Sequence, residues 1–188
     1  MNTLEAIAQR RSIRKFKDTP VSDDIIVKIL NAAIQAPSGK NRQPWHFIVV
    51  KQDHRAEMVR LMRAGIEKIK AQGGDPGSSE WTARIMEQAP VTIFVFNSNE
   101  ELLELERTRV FNVVDVQSVG AAIQNMLLAA CELGLGTLWI CDVFYAYEEL
   151  VSWLGETHQM IAAVSFGYPD ESPAARPRKS VNEVTRWL

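Results

Sequence analysis

Residues 112–140 read NVVDVQSVGAAIQNMLLAACELGLGTLWI, and their patterning decides what kind of fold the chain can form. Over 112–133 the apolar residues, among them Val113, Val116, Ala121, Ile123, Leu127 and Ala130, lie nearly all round a helical wheel. A helix with so little polar face has to be buried on several sides. Gly134 suits the left-handed cap that ends it, and 137–140 reads as a strand. In a chain of 188 residues, burial that complete calls for a second subunit, so a homodimer is expected.

Working outward, Asn2 and Glu5 form a capping box for a first helix running to about Gln9. Ser22 is placed to cap a second helix, with Asp23 and Asp24 in its first turn and Ile25, Ile26, Ile29, Leu30, Ala33 and Ile34 at helical spacing. Pro37 stops it. A buried strand is expected at 46–51, a helix at 55–71, and then the breaker-rich run 73–79, the best candidate for a mobile lid. Strands are expected at 91–97 and 159–167, a solvated acidic helix face at 100–106, a short helix at 147–154, and a Pro/Arg tail closes the chain. Four strands separated by helices indicate either α/β or α+β in one domain over 1–188.

The 21 basic and 23 acidic side chains leave a formal charge of −2, which argues against wholesale nucleic-acid binding. Hydrophobic content of 46% and charged content of 23% exclude intrinsic disorder. Two cysteines, Cys131 and Cys141, are too few for a disulfide framework and fit a reducing compartment; both read as structural. The N-terminus lacks the apolar core of a signal peptide, and no run of about 18 apolar residues appears, so the expectation is a cytoplasmic protein without a membrane span.

Most common site signatures are missing. There is no G-x-G-x-x-G, no P-loop around Gly39-Lys40, no His-Glu-x-x-His, and His46, His54 and His158 are not at ligand spacing, so no metal site is expected. Three features remain. Arg10-Arg11-Ser12-Ile13-Arg14 can bind a phosphate through guanidinium groups and a hydroxyl, and Arg176, Arg178 and Lys179 could converge on the same anion. The stretch 36–45, APSGKNRQPW, offers Ser38, Asn41 and Gln43 to the imide edge of a planar heterocycle, with Gly39 permitting close approach. Gly134 and Gly136 let the backbone lie flat against a ring, with Leu138 and Ile140 as an apolar floor. Each also has a plain structural reading, as a solvated face, a turn, or a helix cap.

Taken together, RRSIRKF, APSGKNRQPWHFIVV, DVQSVGAAIQNMLLAACELGLGTLWI and AAVSFGYPDESPAARPRKSVNEV resemble, in order and separation, the nitroreductase family of FMN-dependent oxidoreductases, from about residue 4 to residue 187. The resemblance implies an α+β fold, a mainly antiparallel sheet flanked by helices, in an intertwined homodimer with two FMN sites at the interface. It implies that Arg10, Ser12 and Arg14 hold the FMN phosphate and nearby polar atoms, with Arg11 contributing through its backbone. Arg178 would reach the same phosphate, joined by Arg176 or Lys179. Pro37, Ser38, Gly39, Asn41 and Gln43 would line the flavin from the partner subunit, and Leu138, Trp139 and Ile140 would lie along the isoalloxazine. The family tail often reads Arg-Lys-Pro-Leu-Glu-Glu, where this chain has Arg178-Lys179-Ser180-Val181-Asn182-Glu183, so the basic pair is kept and the residues after it differ.

The implied activity is electron transfer from NADH or NADPH to an electron-poor small acceptor, a nitroaromatic, a quinone or similar, in a two-step ping-pong cycle that needs no side-chain nucleophile. Trp81, Arg109, Phe111 and Asn112 are candidates for shaping the substrate pocket. The alternatives are a non-catalytic FMN carrier or sensor, a basic N-terminal face for an anionic partner, and other flavin chemistry such as dehalogenation, enone reduction or flavin breakdown.

Overall fold

The computed structural model describes residues 2–99 and 106–188, with side chains described from Val110 onward in the second stretch. The chain runs α1 (Thr3–Gln9), α2 (Asp23–Ala33), a 3-10 turn (Gly39–Asn41), β1 (Trp45–Lys51), α3 (Gln52–Ala71), α4 (Ser79–Gln88), β2 (Val91–Asn97), α5 (Glu106–Glu132), β3 (Gly136–Ile140), a second 3-10 turn (Asp142–Ala146), α6 (Tyr147–Leu154), β4 (Gln159–Gly167) and α7 (Val181–Val184). The strands form one sheet ordered β1-β2-β4-β3 with every pair antiparallel. This is α+β.

The sheet is covered on both faces, which is why β2 is buried along its whole length, with Thr92 and Asn97 its two polar residues, rather than alternating. Phe94 and Phe96 point to one side, into a core with Met58, Met62, Met86 and Leu150 from α3, α4 and α6. Ile93 and Val95 point to the other, against Ile29 of α2 and Val119, Ile123 and Met126 of α5. β1 differs from the buried strand expected at 46–51. It is an edge strand with one neighbour, and of its residues Val50 alone is buried.

Local chemistry explains most boundaries. The Asn2–Glu5 capping box is present, and Gly134 takes the left-handed conformation at φ +76° just beyond α5. Ser22 stands at the start of α2 but makes no side-chain cap bond, leaving Asp23 and Asp24 as the favourable groups at that end. α3 begins at Gln52, three residues before the expected start at 55. α4 was hidden in the sequence by the breakers preceding it; its buried Thr82, Ala83, Ile85 and Met86 nonetheless fall at helical spacing. A further capping box, Ser180 with Glu183, starts the short α7 in the tail.

α5 spans 27 residues, longer at its start than the helix expected over 112–133. The acidic face expected at 100–106 lies, except for the backbone of Glu106, outside the described residues. By length and composition Val110–Glu132 could cross a membrane, yet it packs between α2 and the sheet. One chain covers a single side of it. Val119, Ala122, Ile123, Met126 and Ala130 are buried, whereas Val113 is 52% exposed and Val114, Val116, Gly120 and Ala121 stay half-open.

Candidate functional site

The segment after α1 is tied to the free edge of β3. Ser12 bridges Thr137 in parallel, and the Ile13 amide donates to the Thr137 carbonyl at 2.9 Å. Beyond it, Phe16 bridges Pro169, and the Asp170 amide donates to the Lys15 carbonyl at 2.9 Å. Ile13 and Phe16 bury their side chains and hold the segment down, while Arg10, Arg11, Ser12 and Arg14 are left partly open. Gly136 makes this docking possible: a Cβ there would lie 2.7–2.9 Å from three atoms of the Ile13 side chain.

The consequence is a cavity of about 360 Å³ lined by Arg10, Arg11, Ser12 and Arg14 from this segment and by Arg176 and Arg178 from the tail. The two basic clusters, more than 160 residues apart in sequence, do converge. Arg176 and Arg178 both line the cavity and Lys179 is not among its lining residues. None of these five arginines forms an ion pair with an acid among the described residues. Arg11 donates to the carbonyls of Ala8 and Arg10, Arg14 to that of Ser12, and Arg178 to those of Arg176 and Pro177. Clustered guanidinium groups without such a carboxylate to neutralise them fit a phosphate, which takes parallel charge-assisted bonds.

Arg14 connects this cavity to a second hollow of about 300 Å³ along β3, where Leu138, Trp139 and Ile140 meet Ser78, Trp81, Thr82 and Asp142. The guanidinium of Arg14 lies 5.6 Å over the Trp81 ring, and its backbone amide donates to Glu171. The three residues expected along a ring all line this hollow, but they face different ways. Strand alternation sends Leu138 and Ile140 into the core on the α3 side, 7% and 3% exposed, and turns Trp139 the other way, toward Gly120 of α5. The Thr137 carbonyl points out of the free edge, so by the same alternation the amide and carbonyl of Trp139 do too. That edge can hydrogen-bond a flat heterocycle.

Pro37, Ser38 and Gly39 stand elsewhere. They line a separate hollow of about 260 Å³ against Val114, Gln117, Ser118 and Ala121 of α5, beside the uncovered side of that helix. Asn41 and Gln43 belong to the same loop and, with Lys40, hold φ of 54°, 47° and 52°. The Gln43 amide donates to the Ser38 hydroxyl at 3.0 Å. Within one chain this loop does not meet the arginine cavity.

Among the candidates for the substrate pocket, Trp81 lines the β3 hollow. Phe111 instead sits beneath Lys40 and Arg42, Asn112 accepts a hydrogen bond from Asn97 at 3.1 Å, and the Arg109 side chain lies outside the described residues. The 73–79 run is tethered at its end, where the Ser78 hydroxyl donates to Asp142 at 3.0 Å; Thr82 donates to the same carboxylate at 2.5 Å. Cys131 is half-buried and Cys141 exposed beside Trp139; burial pushes both thiols up. Asp142 and the Arg42–Asp115 pair carried no sequence signal, since their partners are 60 and 73 residues away.

The family model described as Nitroreductase family matches residues 7–168 of this chain. A protein of Methanothermobacter thermautotrophicus named as an NADH dehydrogenase/NAD(P)H nitroreductase is 35% identical over 182 residues, covering 94% of this chain and 82% of its own. An iodotyrosine deiodinase of Thermotoga neapolitana is 28% identical over 183 residues, covering 92% and 91%. The crystal structure of a Desulfovibrio desulfuricans protein named as a nitroreductase, in complex with FMN, superposes with a TM-score of 0.78 at 32% identity, covering 100% and 98%. The extent of these matches, spanning the arginine segment, the 36–45 loop and the β3 edge alike, establishes that the chain belongs to the Nitroreductase family.

Proposed function

We propose that this chain is an FMN-dependent oxidoreductase that passes electrons from NADH or NADPH to an electron-poor small organic acceptor, a nitroaromatic, a quinone or similar. The observation that carries the reading is the group of five arginines, whose guanidinium groups form no ion pair among the described residues, beside an open strand edge. Arg10, Arg11, Ser12, Arg14, Arg176 and Arg178 would hold the phosphate, and the free edge of β3 around Trp139 would lie along the ring. FMN, when bound there, would supply the electron chemistry that links reduced nicotinamide to the acceptor in two half-reactions. Arg14 places positive charge where electron-rich atoms of the ring system would be stabilised. Trp81 forms one wall.

The loop 37–43 belongs to this reading through a second copy of the chain. Its hollow opens beside the uncovered, apolar side of α5, so pairing α5 with its equivalent would bury Val113 and Val114 and bring Pro37, Ser38, Gly39, Asn41 and Gln43 to the partner's flavin. The proposed protein is a cytoplasmic, single-domain homodimer. The deiodinase relative supports a second reading, reductive removal of a halogen from an aromatic ring by the same site.

An anaerobic absorbance spectrum of the purified protein, before and after NADH or NADPH, tests the proposal. A flavin band that bleaches with either donor is expected, and halide release from a halogenated phenol, coupled to donor consumption, separates the second reading from the first. A band that persists with both donors indicates a carrier. The absence of a flavin band after incubation with FMN overturns the proposal.

A further inference from the structure

The loop that presents Ser38, Asn41 and Gln43 is in an unusual conformation. Lys40, Asn41 and Gln43 are three non-glycine residues within four positions that all adopt left-handed φ. Such backbone is sparsely populated and persists only where the surroundings over-determine it. The surroundings here are one face of α5. The Gly39 amide donates to the Ser118 hydroxyl at 3.4 Å, and a Cβ on Gly39 would come 2.3 Å from a Val114 methyl, so the loop backbone lies directly on the helix.

The remaining attachment is an ion pair. Arg42, whose own φ is −70°, sits between Asn41 and Gln43 and reaches Asp115 of α5 with both arms of its guanidinium, Nε to Oδ1 at 3.0 Å and Nη2 to Oδ2 at 2.9 Å. The Asp115 side chain is 1% exposed and that of Arg42 25%. The Asp115 bond raises the Arg42 guanidinium further above its ordinary value. Phe111, one turn earlier on α5, is covered by both Lys40 and Arg42, with the cations 5.4 and 5.3 Å from its ring centre. A fork-to-fork pair fixes orientation as well as distance, which a lysine could not do.

We infer that Arg42 and Asp115 are positioning residues: their bidentate pair, buried on the Asp115 side and half-buried at Arg42, holds the 38–43 loop in its left-handed conformation on α5, and so sets where Asn41 and Gln43 meet the flavin of the partner subunit. Neither residue lines the arginine cavity or the β3 hollow. The inference rests on the flavin reading above and extends it, because a pair on one subunit governs the cofactor environment of the other.

The test compares FMN binding by the wild-type chain, Asp115→Asn, and the double variant Arg42→Met with Asp115→Leu. Replacing both members of a buried pair by apolar groups of similar size leaves stability little changed, so the double variant removes the clamp without stranding a charge. We expect it to keep the wild-type oligomeric state and far-ultraviolet circular dichroism while its FMN dissociation constant rises by roughly tenfold or more, the size of one charge-assisted contact. At saturating FMN its flavin reduction potential should move to a more negative value, a change that a merely structural pair would not produce. Wild-type binding and potential in the double variant overturn the inference. So does loss in Asp115→Asn that the double variant restores, since that is the penalty of an unpaired buried group. If the double variant does not fold, Arg42→Lys keeps the charge and removes the fork; weakened binding supports the pair's role, and unchanged binding refutes it. A wild-type chain that takes up no FMN overturns the flavin reading and this inference with it, whereas FMN-binding wild type beside indifferent variants overturns the inference alone.

Discussion

Replacing Arg10 and Arg178 together by alanine probes the arginine cavity most directly, because the two side chains reach it from opposite ends of the chain. Neither is engaged with an acid among the described residues, so their removal frees no buried carboxylate there and should leave the fold intact. A hydrogen bond to a charged group contributes about 1.5–3 kcal/mol, so two lost contacts represent about 3–6 kcal/mol. Arg10 is partly buried, but Arg178 is exposed and its contribution is screened. Discounting it brings the loss to about 2–4 kcal/mol, or roughly a 30- to 700-fold weaker FMN dissociation constant. Quenching of flavin fluorescence on titration measures this, and riboflavin provides the control because it lacks the phosphate. The variant should lose FMN affinity and keep wild-type affinity for riboflavin, with the difference shrinking as salt is raised. Equal loss for both flavins would show that the arginines act on the fold or the ring, and the phosphate assignment would fall.

Other consequences are accessible to simpler measurements. Gly136→Ala pushes a methyl against the buried Ile13 side chain, and overpacking of this kind costs about 1–3 kcal/mol, or about 2–4 °C of melting temperature per kcal/mol in a chain of this size. An unchanged melting temperature would mean that the 10–17 segment gives way freely. Val113→Arg places a charge on the uncovered side of α5 and should yield a monomer by light scattering that retains no FMN; an unchanged mass would exclude that face as the subunit interface. Burial on its own would raise the Glu156 carboxyl, but the amides of Thr157 and His158, and then the imidazoles of His46 and His158, hold it below the ordinary carboxylate value of 4.5. A depressed folded value stabilises the protein above 4.5, and the contribution is lost as pH falls through the folded value. Acid unfolding of Glu156→Gln should therefore lack part of the wild-type slope below pH 4.5; superimposable curves would contradict the His46–Glu156 contact seen at 2.9 Å.

Much of the architecture was legible because its signals are local. The Asn2–Glu5 capping box, the left-handed Gly134 and the strand 91–97 each depend on a few neighbouring positions, and all three appear where expected, whereas Ser22 makes no cap bond. α4 escaped because the six breaker-rich residues 73–78 precede it, and the seventh residue of that run, Ser79, already belongs to the helix. The edge position of β1 escaped because strand order depends on pairing between distant segments, and nothing within 45–51 states how many neighbours it has.

The site divides in the same way. The residue types needed for a phosphate and for a planar ring were visible as separate clusters, but side-chain direction was not. Leu138 and Ile140, expected beneath a ring, still line the β3 hollow, but the sheet buries their side chains and leaves the Trp139 backbone on the free edge. Sequence alone determined most of the helices, several of their ends, the four strands and the presence of two arginine clusters, because propensity, capping and periodicity are carried by near neighbours. Tertiary structure decided that the clusters share one cavity, that Arg42 reaches the buried Asp115, and that α5 keeps an uncovered apolar side. Those outcomes depend on contacts between segments 73 to more than 160 residues apart, which only the packing of the sheet between its helices brings together.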